Sequence, residues 1–157
     1  MNTCAVLTIS DSSFHGTRAD LSGPAVVRAL EAVGFKVVET SIVPDEREQI
    51  EEHLIRCCGE AKLVVTVGGT GMAQRDVTPE ATLAVADRLV PGIPERMRAE
   101  GARKTPMAAL SRAVCGIRDT SMILNLPGSP TAAVESLLAV VGILPHALDL
   151  LGGKTAH

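Results

Sequence analysis

Three glycines in four positions, Gly68-Gly69-Thr70-Gly71, follow directly on the apolar run Lys62–Val67. Glycine permits positive φ and lets the backbone approach a ligand without a Cβ in the way. Successive N–H groups in such a loop can form a nest for an anion. The same tetrapeptide would also serve as a tight strand exit and nothing more. It is not a Walker A loop, because no Gly-Lys-Ser/Thr follows. Nor is it a dinucleotide fingerprint, because Gln74 stands where the third glycine belongs. Pro127-Gly128-Ser129-Pro130 offers a second anion site, with Ser129 as N-cap, Pro130 as first helical residue and free N–H groups beyond. An ordinary helix cap uses the same residues.

Three aspartates stand just after apolar runs or in the loop beyond: Asp11, Asp45 and Asp76. Each has a structural alternative. Asp11 could cap a turn, Asp45 with Glu48 resembles a capping box, and Asp76 could pair with its neighbour Arg75. Thr78-Pro79 already supplies a natural cap and first turn, so Asp76 is not needed for that purpose. Together, three carboxylates on one edge would repel, and a hard cation such as Mg²⁺ is a frequent reason to tolerate them. His15, His53, His146 and His157 form no nucleophile–His–Asp constellation. Cys4, Cys57, Cys58 and Cys115 show no metal-ligand spacing and read as small apolar residues in a reducing compartment.

The elements that must carry these residues alternate between β-branched runs and helical patterns. Strands are expected at Cys4–Ser10, Lys36–Val43 and Lys62–Val67, the last central because it does not alternate. Helices are expected at Ser22–Gly34, Arg47–Cys58, Pro79–Leu89 and Pro94–Gly101. Two further strands, Arg112–Asp119 and Ser121–Leu126, are joined too closely to be parallel. Thr131–Leu151 reads as one helix or two, with Pro145 as the break or restart. The pattern predicts an α/β chain forming one domain over residues 1–157: a mostly parallel sheet covered on both faces by helices, with an antiparallel pair near the C-terminus. In such sheets ligands sit beyond the carboxyl ends of the strands, where the glycine loops and aspartates fall.

Composition narrows the function classes. The chain has 157 residues, enough for one sizeable core, with two Phe, no Trp and no Tyr, so that core must be aliphatic. A net charge of −3 without any basic cluster argues against nucleic acid, as does the lack of stacking aromatics. No apolar run reaches the roughly 18 residues of a membrane span. The N-terminus has no charged lead or cleavage signal, and a cytoplasmic location is the expectation.

Thr8-Ile9-Ser10-Asp11, Val43-Pro44-Asp45-Glu46, Gly68-Gly69-Thr70-Gly71, Arg75-Asp76-Val77-Thr78-Pro79-Glu80-Ala81, Ser111-Arg112 and Asn125-Leu126-Pro127-Gly128-Ser129-Pro130 occur in that order. This series resembles the molybdopterin adenylyltransferase family (MogA and the G domain of gephyrin) over essentially the whole chain, and the MogA type most. The resemblance implies a three-layer α/β/α sandwich, a homotrimer and Mg²⁺-dependent transfer of AMP from ATP to molybdopterin with release of pyrophosphate. It implies that Asp45 and Asp76 are catalytic and hold the metal. It also implies that Gly68, Gly69, Thr70, Gly71, Thr78, Pro127, Gly128 and Ser129 bind substrate or nucleotide, with Asp11 and Ser12 near the nucleotide. The short C-terminus leaves molybdate insertion to a separate protein that would receive the product. MoaB-like relatives share the fold, and some lack clear transferase activity, so a non-catalytic pterin carrier is the alternative. A phospho-receiver would need an acceptor aspartate where Gly68-Gly69 stand.

Overall fold

The computed structural model describes residues 1–155, so His157 lies outside the described residues. The chain runs β1 (Thr3–Ile9), α1 (Asp11–Phe14), α2 (Ser22–Ala32), β2 (Lys36–Val43), α3 (Arg47–Cys58), β3 (Leu63–Val67), α4 (Thr78–Val85) and β4 (Arg88–Leu89). It continues through α5 (Gly92–Ala102), a 3₁₀ turn (Pro106–Leu110), β5 (Cys115–Arg118), β6 (Ser121–Leu126), α6 (Pro130–Val140) and α7 (Leu144–Leu151). One sheet holds all the strands in the order β2-β1-β3-β6-β5-β4. The pairs β2/β1, β1/β3 and β3/β6 are parallel, whereas β5 runs antiparallel to β6 and β4 antiparallel to β5.

The two-residue period of a strand sends alternate side chains to opposite faces, and here both faces are apolar. Cys4 and Val6 of β1, Leu63, Val65 and Val67 of β3, and Met122, Leu124 and Leu126 of β6 pack with α2, α5, α6 and α7. Ala5, Leu7 and Ile9, with Val64 and Ile123, pack with α3 and α4. The result is the expected three-layer α/β/α sandwich. Each fully buried aliphatic side chain contributes about 1.5–3 kcal/mol, which suits a core without large aromatics. Among the described residues no single helix is long and apolar enough to cross a membrane.

Several elements differ from the pattern reading. The helix expected to reach Leu89 stops at Val85, because Ala86 turns extended and Asp87 N–H donates to Ile117 O at 2.7 Å. Arg88 and Leu89 then pair with β5 as an edge strand, a non-local contact that helical periodicity cannot register. The expected strand from Arg112 begins only at Cys115. Residues after Ser10 form a short helix rather than a loop, since the Ser10 hydroxyl accepts from Ser13 N–H at 3.2 Å. The 3₁₀ turn capped by Thr105 has no counterpart in the sequence reading. Of the two possibilities for Thr131–Leu151 the chain takes the second, with Pro145 in the first turn of α7.

A polar thread crosses the apolar layer beneath α4. Fully buried Asn125 donates to the hydroxyls of Thr66 and Thr82, both at 3.0 Å, and accepts from Val114 N–H at 3.2 Å. Thr82 in turn donates to Thr78 O, and Thr78 donates to Gly68 O. Asn125→Ala leaves these partners unsatisfied in the core and is expected to destabilise the fold by about 3 kcal/mol. Urea unfolding with an unchanged m-value would measure it; a loss below about 1 kcal/mol would show the thread to be dispensable.

Candidate active site

The parallel strands deliver their exits to one edge, and hydrogen bonds tie those exits together. Asp45 follows β2. Its N–H donates to Asp11 Oδ1 at 3.0 Å, while Asp11 N–H donates to Asp45 Oδ2 at 2.9 Å. The two aspartates thus clasp the exits of β1 and β2 reciprocally. Asp45 does not cap the following helix: α3 starts after Glu46 with no side-chain cap, which removes the capping-box reading. Nor does Arg75 pair with Asp76. Its Nε and Nη2 donate to the Asp11 carboxylate at 2.7 and 3.1 Å, and Nη2 also reaches Glu46 Oε1 at 2.9 Å.

These neighbours set the charges. The Arg75 guanidinium holds the Asp11 carboxyl below its ordinary value, helped by the Asp45 backbone N–H. Burial pushes Asp45 up, and the charges of Asp11 and Asp76 push the same way, against the Asp11 N–H. The fold therefore binds a proton at Asp45 more tightly than the unfolded chain does. That contribution to stability is complete below the ordinary value of 3.8 and is lost as pH rises through the raised folded value. Asp45→Asn keeps the acceptor for Asp11 N–H and is expected to raise the melting temperature by a few degrees at about pH 7 in EDTA. The gain should vanish as pH falls below roughly 4. A variant no more stable than the parent across that range would show that Asp45 carries no such strain.

The glycine loop is shaped to meet these carboxylates. Gly68 and Gly69 have φ of +106° and +69°, in the left-handed region. A Cβ at Gly69 would crowd the Thr78 hydroxyl and stand 3.2 Å from Asp45 Oδ1; one at Gly71 would stand 2.9 Å from Asp76 Oδ2. Asp76 Oδ2 accepts from Ala73 N–H at 3.1 Å, closing a small turn. Thr78 is buried at the first position of α4 rather than at the cap, where Val77 sits. Its hydroxyl holds Gly68 O at 3.0 Å. Ser129 does cap α6, accepting from Ala132 N–H at 3.2 Å.

Two cavities meet at this edge. The smaller, about 450 Å³, is polar and is lined by Ser10, Ser13, Asp45, Gly68, Gly69, Asp76, Gly128 and Ser129, with Asp20 and Ser22. The larger, about 870 Å³, runs between α5, the 3₁₀ turn and α6 past Met72, Met97, Met107 and Leu138. Thr70, Gly71 and Pro127 line the larger cavity, while Gly69, Asp76 and Gly128 border both. Asp11 and Ser12 line neither: Asp11 faces Arg75 and the Asp45 backbone, and the Ser12 hydroxyl lies 3.2 Å from that of Ser10. Asp20 and Ser22 were not singled out in the sequence. Asp20 accepts from Gly23 N–H at 3.0 Å and from the Thr8 hydroxyl at 2.7 Å, and Ser22 donates to Gly128 O at 2.5 Å. An Asp-x-Ser-Gly cluster straddling the start of a helix is the available signal.

The donor set fits a hard cation in part. Asp45 and Asp76 offer carboxylate oxygens to one cavity, and their mutual repulsion is what a cation relieves. Among the described residues no three acidic, histidine or cysteine groups stand close enough to hold a metal alone. That suits an ion such as Mg²⁺, which keeps waters and takes phosphate oxygens alongside one or two carboxylates.

Residues 5–146 match the family described as "Probable molybdopterin binding domain". The chain is 45% identical to the molybdopterin adenylyltransferase of Helicobacter pylori, over 95% of this chain and 87% of that protein. It is 41% identical to the molybdopterin adenylyltransferase of Escherichia coli K12, over 98% of this chain and 88% of the other. Among solved structures, the molybdopterin biosynthesis enzyme MoaB of Thermus thermophilus superposes with a TM-score of 0.93 at 49% identity, covering 98% of both chains.

Proposed function

The chain belongs to the molybdopterin-binding domain family, and from that premise we propose that it is a molybdopterin adenylyltransferase of molybdenum cofactor biosynthesis. It transfers AMP from ATP to molybdopterin, giving adenylylated molybdopterin and pyrophosphate. The observation that carries this reading is the meeting of the two cavities at Gly69, Asp76 and Gly128. Two reactants, each with a ring system and a phosphate, can lie on either side with their phosphates at the shared border.

In the reaction an oxygen of the molybdopterin phosphate bonds to the α-phosphorus of ATP. The bond from that phosphorus to the bridging oxygen breaks, and pyrophosphate leaves with the electron pair. A phosphate monoester is largely ionised near pH 7, its second pKa being about 6, so the nucleophile needs no strong general base. The absence of a histidine dyad among the lining residues is consistent with that. The chain must align the two phosphates and offset their charge. The N–H groups at the α6 N-terminus and in the Gly68–Gly71 loop can orient phosphate oxygens there. Asp45 and Asp76 would hold Mg²⁺, which when bound supplies neutralisation of crowded phosphate charge. Neither carboxylate is assigned a proton-transfer role.

The experiment is a single-turnover assay of adenylylated molybdopterin from ATP, with and without Mg²⁺. Product that requires both supports the reading. No product from folded protein that still binds molybdopterin would replace it with the non-catalytic carrier. A homotrimer, a cytoplasmic location and hand-over of the product to a separate molybdate-inserting protein complete the proposal. Sedimentation at a single-chain mass would overturn the trimer.

A further inference from the structure

Resting on the transferase reading above, we infer that Arg112 is a positioning residue for Asp76: it clasps the loop Gly69–Asp76 at both ends and fixes it on the wall between the two cavities. The Arg112 backbone N–H donates to Thr70 O at 2.9 Å, and Nε donates to Gly71 O at 2.8 Å. Nη2 donates to Asp76 O at 2.7 Å, and Nη1 to both Glu80 carboxylate oxygens at 3.0 and 2.8 Å. One residue therefore holds the start of the loop, its end, and the first turns of α4.

Inside the loop the ties are the Asp76–Ala73 contacts of one turn, and Met72 at its crest is 70% exposed. Thr78 N–H donates to Gly69 O at 3.1 Å, and the exposed Arg75 side chain reaches Asp11 and Glu46, but the carbonyls of Thr70, Gly71 and Asp76 are all held by Arg112. A planar guanidinium can serve two carbonyls and a carboxylate in one fixed fork, which a lysine ammonium cannot reproduce. The clasp is itself anchored. Arg98 of α5 donates from Nη1 to Ser111 O at 3.3 Å and to Ala113 O at 3.0 Å, the carbonyls on either side of Arg112. Because β5 starts only at Cys115, the backbone at Arg112 is free of the sheet ladder and can turn to the loop.

Amide hydrogen exchange in the ligand-free protein, alongside transferase kinetics, tests this on Arg112→Ala, Arg112→Lys and Glu80→Gln. In Arg112→Ala, exchange across residues 70–76 should rise at least about tenfold while β1 and β3 keep their protection. Turnover should fall about 10²-fold, mainly in kcat, because Asp76 is misplaced rather than removed. Arg112→Lys should lie between, and Glu80→Gln, which leaves the loop carbonyls their donors, should stay within about threefold of the parent. Unchanged exchange over 70–76 in both arginine variants, or a kcat loss that simply follows global unfolding, would overturn the clasp. So would a Glu80→Gln loss as large as that of Arg112→Ala. Exchange needs no substrate, so a parent protein that fails to make product overturns the transferase reading without touching this readout.

Discussion

Replacing Asp76 with alanine is expected to lower single-turnover adenylyl transfer by about 10²- to 10³-fold, or roughly 3–4 kcal/mol of barrier. Asp76 borders both cavities, and among the described residues its carboxylate takes one hydrogen bond, from Ala73 N–H at 3.1 Å. The fold should therefore survive the change, and thermal denaturation should show a shift of only a few degrees. Asp76→Asn separates charge from geometry, since the amide oxygen still accepts from Ala73 while the anion is lost. Both variants should fall together, with the apparent Mg²⁺ requirement weakened. An asparagine variant that turns over like the parent would mean that the Asp76 charge does no work. A lost pH-dependent base with unchanged Mg²⁺ dependence would mean that it moves a proton.

Gly69→Ala is expected to abolish most activity, by about 10²-fold, and to cost about 1–3 kcal/mol of stability. The residue has φ of +69°, and its new Cβ would press on the Thr78 hydroxyl and on Asp45 Oδ1. One methyl group thus displaces the carboxylate proposed to hold the metal. Gly68→Ala provides the contrast. At φ +106° its Cβ would meet the Ile9 carbonyl, a backbone atom of β1 that cannot swing away. Its stability loss should exceed that of Gly69→Ala, with folding yield as the first casualty. Urea unfolding and transfer rates on the two variants measure the difference. A Gly69→Ala protein as active as the parent would show that the loop does not set the position of Asp45.

The sequence was most legible where local chemistry and the fold agree. Alternation of β-branched runs with amphipathic helices is a short-range property, and both faces of the sheet are covered as that alternation requires. Arg47–Cys58 and Ser121–Leu126 keep the bounds their patterns predict. The edge strand Arg88–Leu89 escaped notice because two residues have no period, and only pairing with β5 makes them a strand.

By itself, then, the sequence determined the α/β architecture, the aliphatic core and the edge on which Asp11, Asp45, Asp76 and the glycine loops gather. The backbone's hydrogen-bonding rules and side-chain periodicity leave few other ways to bury so much aliphatic surface. What each charge does there was decided only by tertiary structure. Arg75 stands beside Asp76 in the chain yet bonds to Asp11, 64 residues away, and to Glu46. Asp45 has a capping partner three residues on yet exchanges backbone bonds with Asp11. Arg112 stands in the Ser111-Arg112 segment with no local partner to show its role, and closes the loop of Asp76 from 36 residues beyond. A flexible charged side chain goes to whichever acceptors the folded backbone leaves unpaired within its reach. That choice is made by the assembled strand exits, not by the neighbours in sequence.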